Sequence, residues 1–299
     1  MVQQSIEVIR VPFGLGAGRP GSENGPDRLM KFGLVKKLQA LGYDVQADQI
    51  VSLPDGIASP PGTRMKHVQE TLAVSGLLGE AVYDAAAAGY IPLILGGDHS
   101  IAMGSMAGLT RHYRSLGVIW MDAHSDLNTE ATSPSGNMHG ISLAVGLDLS
   151  HIKLRQIAGG AVPLKPENCV ILGARDLDRD EKALIRSCGL TCFTMYEIDR
   201  LGIEKVVQEA LRIAGNGTDG VHLSFDIDSV DPIEAPGTGT PVRGGLSYRE
   251  AHLALELMSE SGRITSADFV EVNPLLDRNN QTSKLAVELI GSLFGSRIL

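Results

Sequence analysis

The sequence predicts an α/β fold of three layers, in which a mostly parallel central sheet is flanked by helices. Two observations lead there. Apolar, β-branched runs of strand length recur along the chain and are nearly continuous rather than alternating, as strands buried on both faces of a parallel sheet are. Segments with helical apolar spacing lie between them, and alternation of strand and helix builds such a sheet.

The predicted strands cover residues 6–13, 91–95, 118–121, 169–172, 221–227 and 268–272. The clearest helix covers 64–88, where Met65, Val68, Leu72, Leu78, Val82 and Ala85 form one apolar stripe and Gly89 supplies a stop. Further helices are predicted at 203–214, 248–261 and 281–295. Residues 14–26, 55–62 and 128–140 are rich in Gly, Pro, Ser and Asn and read as surface loops. With no repeat or long linker, the 299 residues are expected to form one domain, 1–299.

Composition narrows the class. Hydrophobic residues at 43% and charged residues at 20% suit a globular protein with a substantial core. A formal charge of -9 without any clustered Lys and Arg argues against a nucleic-acid partner. Three cysteines with no CxxC pair imply neither a disulfide framework nor a thiolate zinc site, and a reducing cytoplasm is expected. No secretory signal pattern or run of 18 apolar residues is found, so no membrane partner is expected.

Three motifs carry the chemistry, each at the end of an apolar run. Gly96-Gly97-Asp98-His99-Ser100 follows the first, and Asp122-Ala123-His124-Ser125-Asp126-Leu127-Asn128 follows the second. In an extended segment, Asp122, His124 and Asp126 share a side. The third, Ser224-Phe225-Asp226-Ile227-Asp228, puts two carboxylates on one side of a strand, where they destabilise unless a cation neutralises them. His99, His124, Asp122, Asp126, Asp226 and Asp228 are therefore the candidate ligands. Many oxygens, few nitrogens and no thiolate favour Mn²⁺ or Mg²⁺, the imidazoles tilting the set towards Mn²⁺, and six ligands are more economical for two ions than for one.

A fourth stretch, Asp268-Phe269-Val270-Glu271-Val272-Asn273-Pro274, sets Glu271 at the end of an apolar run. It is an internal ion pair, a helix-capping contact or a carboxylate aimed at a cationic substrate, for which a guanidinium is suited. Gly16 to Gly21 satisfies GxGxxG, but Pro20 and the following Ser-Glu-Asn-Gly-Pro break the helix that a dinucleotide site needs. Neither an HExxH helix nor a GxSxG nucleophile elbow is present.

The ordered set GGDHS, DAHSDLN, SFDIDSVDP and EVNP resembles the ureohydrolase family, which includes arginases, agmatinases, guanidinobutyrases and formimidoylglutamases, and arginases most closely. The likeness extends through Gly25-Pro26 and the run GLSYRE at 245–250, close to the whole chain. The resemblance implies two Mn²⁺ per subunit, His99 on one and His124 on the other, Asp122 and Asp226 bridging, Asp126 completing the first site and Asp228 the second. It implies hydrolysis of L-arginine to L-ornithine and urea by a metal-bridging hydroxide, with Asp126 relaying the proton and Glu271 orienting the guanidinium. His139 would shuttle protons with solvent. Asn128, Ser135 and Asn137 would receive the α-carboxylate, Asp178 the α-amino group, and Thr240 matches another active-site position. Arg249-Glu250 matches a pair used between subunits, so a homotrimer or homohexamer is implied.

Ser125, Ser142 and Ser229-Val230 depart from the residues common in the family and bear on pocket shape, not on ligation. The competing readings are another ureohydrolase, such as an agmatinase or guanidinobutyrase, and a catalytically silent scaffold. Intact ligands argue against the scaffold.

Overall fold

The computed structural model describes residues 4–297, apart from the side chains of Ala47 and Asp48. Among the described residues, eight strands form one sheet: β1 (Ser5–Val11), β2 (Asp44–Ile50), β3 (Ile91–Gly96), β4 (Leu116–Met121), β5 (Cys169–Ala174), β6 (Thr191–Thr194), β7 (Gly220–Asp226) and β8 (Ile264–Val270). Their spatial order is β2-β1-β3-β8-β7-β4-β5-β6, and every neighbouring pair is parallel.

Burial on both faces explains the continuous apolar runs. On β3, Leu93 and Leu95 point into one core while Ile94 points into the other. The first core packs helices Ile203–Ala214, Tyr248–Ser261 and Gln281–Leu293 on the sheet, and the second packs Val68–Ala87 and Ala102–His112 on its opposite face. Three layers result, as the sequence predicts.

Several boundaries differ from the sequence expectation. β2 and β6 lie outside the predicted strands. Both are edge strands, and β2 (DVQADQI) carries the polar residues that an edge tolerates. β8 starts at Ile264 rather than 268, its half-buried first residues hiding the apolar signal. The helix Ala102–His112 also lies outside the predicted helices, because its small residues give no amphipathic stripe. They serve close packing: a Cβ at Gly108 would lie 2.5 Å from the Gly79 carbonyl oxygen of the neighbouring helix.

The helix expected from residue 64 starts at Val68. The segment before it is held by a loop instead, since Lys66 N–H donates to Gly136 O at 2.8 Å and Arg64 to Ala131 O at 2.6 Å. Gly89, at φ 84°, ends that helix as expected. Helix Tyr248–Ser261 begins with a capping box in which Glu250 accepts from Ser247, while Arg249 lies 3.7 Å from Glu256.

β3 and β4 follow one another in the chain but are separated in the sheet by β8 and β7. Loops leaving their carboxyl ends therefore diverge and open a crevice, the usual place for a site in such a sheet. All four motifs lie at the ends of these four central strands. No helix among the described residues is long and apolar enough to cross a membrane.

Candidate metal centre and active-site cleft

The ligand candidates converge, though not by the alternation expected of extended strands. β4 ends at Met121, and the following segment turns so that Asp126 takes φ 50°. β7 ends at Asp226, and Asp228 sits in the 3-10 turn Ile227–Ser229, its N–H donating to Asp226 Oδ1 at 2.7 Å. β8 ends at Val270, leaving Glu271 just beyond it at φ 63°. Positive φ costs a non-glycine residue energy and persists where its surroundings impose it. Here it turns carboxylates into the crevice.

His99 Nδ1 lies 3.1 Å from Asp122 Oδ2, 3.3 Å from Asp126 Oδ2 and 3.3 Å from Asp226 Oδ2. His124 Nδ1 lies 3.3 Å from Asp122 Oδ1 and 3.2 Å from Asp228 Oδ2. The two groups able to hold a metal, His99-Asp122-Asp126 and Asp122-His124-Asp228, thus share Asp122. Trp120 fixes this centre from behind: it stacks on His99 with ring centroids 4.0 Å apart and donates to Asp122 Oδ2 at 3.0 Å.

Two features show that these residues fit cations. His99 Nδ1 is buried without a hydrogen-bond partner although three carboxylate oxygens face it. Burial, then repulsion from Asp228 and Asp122, raises Asp226 well above the usual carboxylate range, and burial with the Asp122 charge does the same to Asp126. Carboxylates this crowded ionise together only around positive charge.

The cleft has two compartments that share His124, His139, Asp176 and Thr240. The first, of about 130 Å³, is lined also by Asp126, Asn128, Asp178, Glu181 and Asp226, and the second, of about 460 Å³, by Arg19, Asn137, Gly239 and Glu271. Asn128 Nδ2 donates to Asp178 Oδ2 at 2.8 Å, so these two expected contacts stand together. Asn137 belongs to the neighbouring compartment. Ser135 lines neither, and its hydroxyl accepts from Asn137 N–H at 3.2 Å. The Thr240 hydroxyl donates to Asp228 Oδ2 at 3.0 Å, so it steadies a candidate ligand from the cleft wall.

Glu271 Oε1 accepts from His99 N–H at 2.9 Å and pairs with His139 Nδ1 at 3.0 Å, while Oε2 lies near Gly239, with which Glu271 lines the second compartment. Burial opposes charge on His139, but Glu271, Asp126 and Asp98 outweigh it and raise its pKa to about 9.

Sequence reasoning missed the supporting residues. Glu181 accepts from Ser125 Oγ at 2.7 Å, Leu127 N–H at 3.1 Å and Asp178 N–H at 2.8 Å, joining the Asp126 loop to a helix start. The Asp178-x-x-Glu181 spacing of a capping box is its one readable signal. Arg175 donates to the carbonyls of Asp228, Ser229 and Val242, clamping the turn that carries Asp228. Lys66 Nζ donates to Asn137 Oδ1 at 3.1 Å. The Gly16 to Gly21 stretch makes no dinucleotide turn: Gly16 N–H donates to Asp98 Oδ2 at 2.8 Å, and the next element is the 3-10 turn Ser22–Asn24.

The model of the Arginase family matches residues 4–295. The chain belongs to the arginase family. It is 46% identical to the arginase of Brevibacillus brevis over 300 residues, covering 100% of both chains. The native arginase structure from Bacillus caldovelox superimposes with a TM-score of 0.94 at 46% identity, over 99% of this chain and 100% of that one. The Entamoeba histolytica arginase in complex with L-ornithine gives 0.90 at 31% identity, over 99% and 100%. This arginase-family chain is accordingly a hydrolase whose crevice holds His and Asp groups able to bind metal.

Proposed function

We propose that this protein hydrolyses L-arginine to L-ornithine and urea, using two Mn²⁺ per subunit. The observation that carries the reading is the pair of His-carboxylate groups joined through Asp122, with Glu271 facing the adjoining cleft. His99, Asp122, Asp126 and Asp226 would hold one ion and His124, Asp122, Asp228 and Asp226 the other. Two such cations, when bound, would supply the charge that lets a water ionise near neutral pH and serve as the nucleophile toward the guanidinium carbon.

The chain's own residues do the rest. Glu271, its Oε1 fixed by His99 N–H and His139, turns Oε2 to the guanidinium and orients its carbon. Asp126, at the floor of the cleft, accepts the nucleophile's proton and passes it to the leaving amine. His139, 16% exposed at the side chain, exchanges protons with solvent. Asn128 and Asn137 receive the α-carboxylate, and Ser135, expected beside them, supports Asn137 by accepting its backbone N–H. Asp178 receives the α-amino group. Thr240 keeps Asp228 aimed. A homotrimer or homohexamer in the cytoplasm completes the reading.

The experiment is elemental analysis and urea release from L-arginine before and after chelation. About two manganese ions per chain and activity restored by Mn²⁺ better than by Zn²⁺ or Mg²⁺ are expected. Full activity with at most one tightly held ion contradicts the two-ion reading.

A further inference from the structure

The segment before helix Val68–Ala87 backs onto Asn137, which lines the second compartment of the cleft. Lys66 N–H donates to Gly136 O at 2.8 Å, and Lys66 Nζ donates to Asn137 Oδ1 at 3.1 Å. The two segments lie so close that a Cβ at Gly136, already at φ 71°, would come 2.1 Å from Arg64 O. Only glycine fits there. Lys66 is exposed, and a long exposed side chain has many rotamers, so its reach to Asn137 depends on how firmly its backbone is held.

A buried carboxylate that the chemistry above does not use provides the hold. Glu70, in the first turn of the helix, is 5% exposed. Its Oε2 accepts from the Ser59 hydroxyl, and its Oε1 lies 3.1 Å from His67 Nδ1. Ser59 Oγ also accepts from Gln69 N–H at 3.0 Å, so Ser59 is bound twice to the first helical turn. His67, next to Lys66, takes φ 53°, a conformation that persists where its surroundings impose it. Burial raises the Glu70 pKa, but hydrogen bonds from Ser59 and His67 outweigh it and hold the carboxyl at about 2. An ionised carboxylate only accepts, so Ser59 Oγ and His67 Nδ1 both donate to it. We propose that Glu70 latches Ser59 and His67 to the helix start and so carries Lys66 to Asn137, making Glu70 a positioning residue for recognition of the substrate carboxylate. Lys66, which can only donate, occupies Asn137 Oδ1 and leaves the amide NH₂ for the substrate. This inference deepens the substrate reading above and rests on it.

The test is steady-state urea release by the manganese-loaded full chain from L-arginine and from agmatine, with thermal melting as the control for folding. Glu70→Ala releases the loop and is expected to raise KM for L-arginine about threefold to fivefold, with kcat within about twofold of wild type. For agmatine, which has no carboxylate to offer Asn137, kcat/KM should stay within about twofold. A general loosening of the fold would instead move both substrates alike. In a Lys66→Met background, Glu70→Ala should add nothing further, because both act on one contact, whereas independent effects would multiply. Should Glu70→Ala fail to fold, Ser59→Ala removes the loop's side of the latch and is expected to raise KM for L-arginine alone, by about threefold. An unchanged KM for L-arginine in the folded variants, equal changes for both substrates, or an effect that multiplies with Lys66→Met would overturn the latch alone. A wild-type chain that uses agmatine as well as L-arginine would overturn the substrate reading and the latch with it.

Discussion

The Ser125 hydroxyl donates to Glu181 Oε1 at 2.7 Å, tying the loop that carries Asp126 to the helix that starts after Asp178. This bond gives Ser125 a physical role beside the candidate ligand Asp126. Glu181 is 4% exposed and takes two backbone N–H groups as well, so it organises both sides of the first compartment. Ser125→Ala should cost about 1 kcal/mol in stability, since Glu181 keeps its other partners, whereas Glu181→Ala leaves buried donors unpaired and should cost about 2 to 3 kcal/mol. Denaturant unfolding measures both. Equal losses would refute the organising role of Glu181.

Asp126 and Glu271 share the cleft but are assigned different tasks. Asp126→Ala should lower manganese content together with turnover. Glu271→Gln should keep its metal and lose about 2 to 5 kcal/mol in kcat/KM, the usual cost of truncating a close charge pair. Metal analysis beside steady-state kinetics tells them apart, and a Glu271→Gln protein as metal-poor as Asp126→Ala would make Glu271 a ligand.

His139 provides a test in pH. Its pKa in the folded, metal-free chain is raised from 6.5 to about 9: burial lowers it, but Glu271, Asp126 and Asp98 raise it further. A raised pKa stabilises the folded state fully below the unfolded value and ceases to do so as pH rises through the folded one. The melting temperature of the metal-free protein should therefore exceed that of His139→Asn most near pH 6, with the gap closing between about pH 7 and pH 10. A gap unchanged across that range would contradict the coupling to Glu271.

Much of this site was legible because acids gathered at the ends of apolar strands are too costly to keep without a cation. His99, Asp122, His124, Asp126, Asp226 and Asp228 could be named as candidate ligands from their spacing at the ends of apolar runs, and the structure brings five of them into two groups joined through Asp122. What spacing could not show is the path of the backbone: Asp126 and Glu271 reach the cleft at φ 50° and 63°, not as members of extended strands. The supports were hidden for another reason. Ser125 and Glu181 meet only through loop packing, at a sequence separation of 56 residues. Edge strands β2 and β6 and the small-residue helix Ala102–His112 lack a periodic apolar signal for the same tertiary reason.

Lys66 supplies a specificity test. Its ammonium can only donate, so its bond to Asn137 Oδ1 leaves the amide NH₂ for the compartment beside Gly18 and for an anionic substrate group. Lys66→Met frees the amide to turn and should raise KM for L-arginine about fivefold, the equivalent of about 1 kcal/mol, with kcat nearly unchanged. A change confined to kcat would contradict it.

On the proposed function the cleft recognises both ends of L-arginine, the guanidinium beside the candidate metal groups and the α-carboxylate near Asn128 and Asn137. Agmatine has the same guanidinium and no carboxylate, so kcat/KM for the two substrates, measured on one manganese-loaded preparation by urea release, isolates the second contact. L-arginine should be preferred by roughly 30-fold to 1,000-fold, corresponding to about 2 to 4 kcal/mol for polar groups left without partners. Equal or better use of agmatine would contradict the account and leave a ureohydrolase of different specificity.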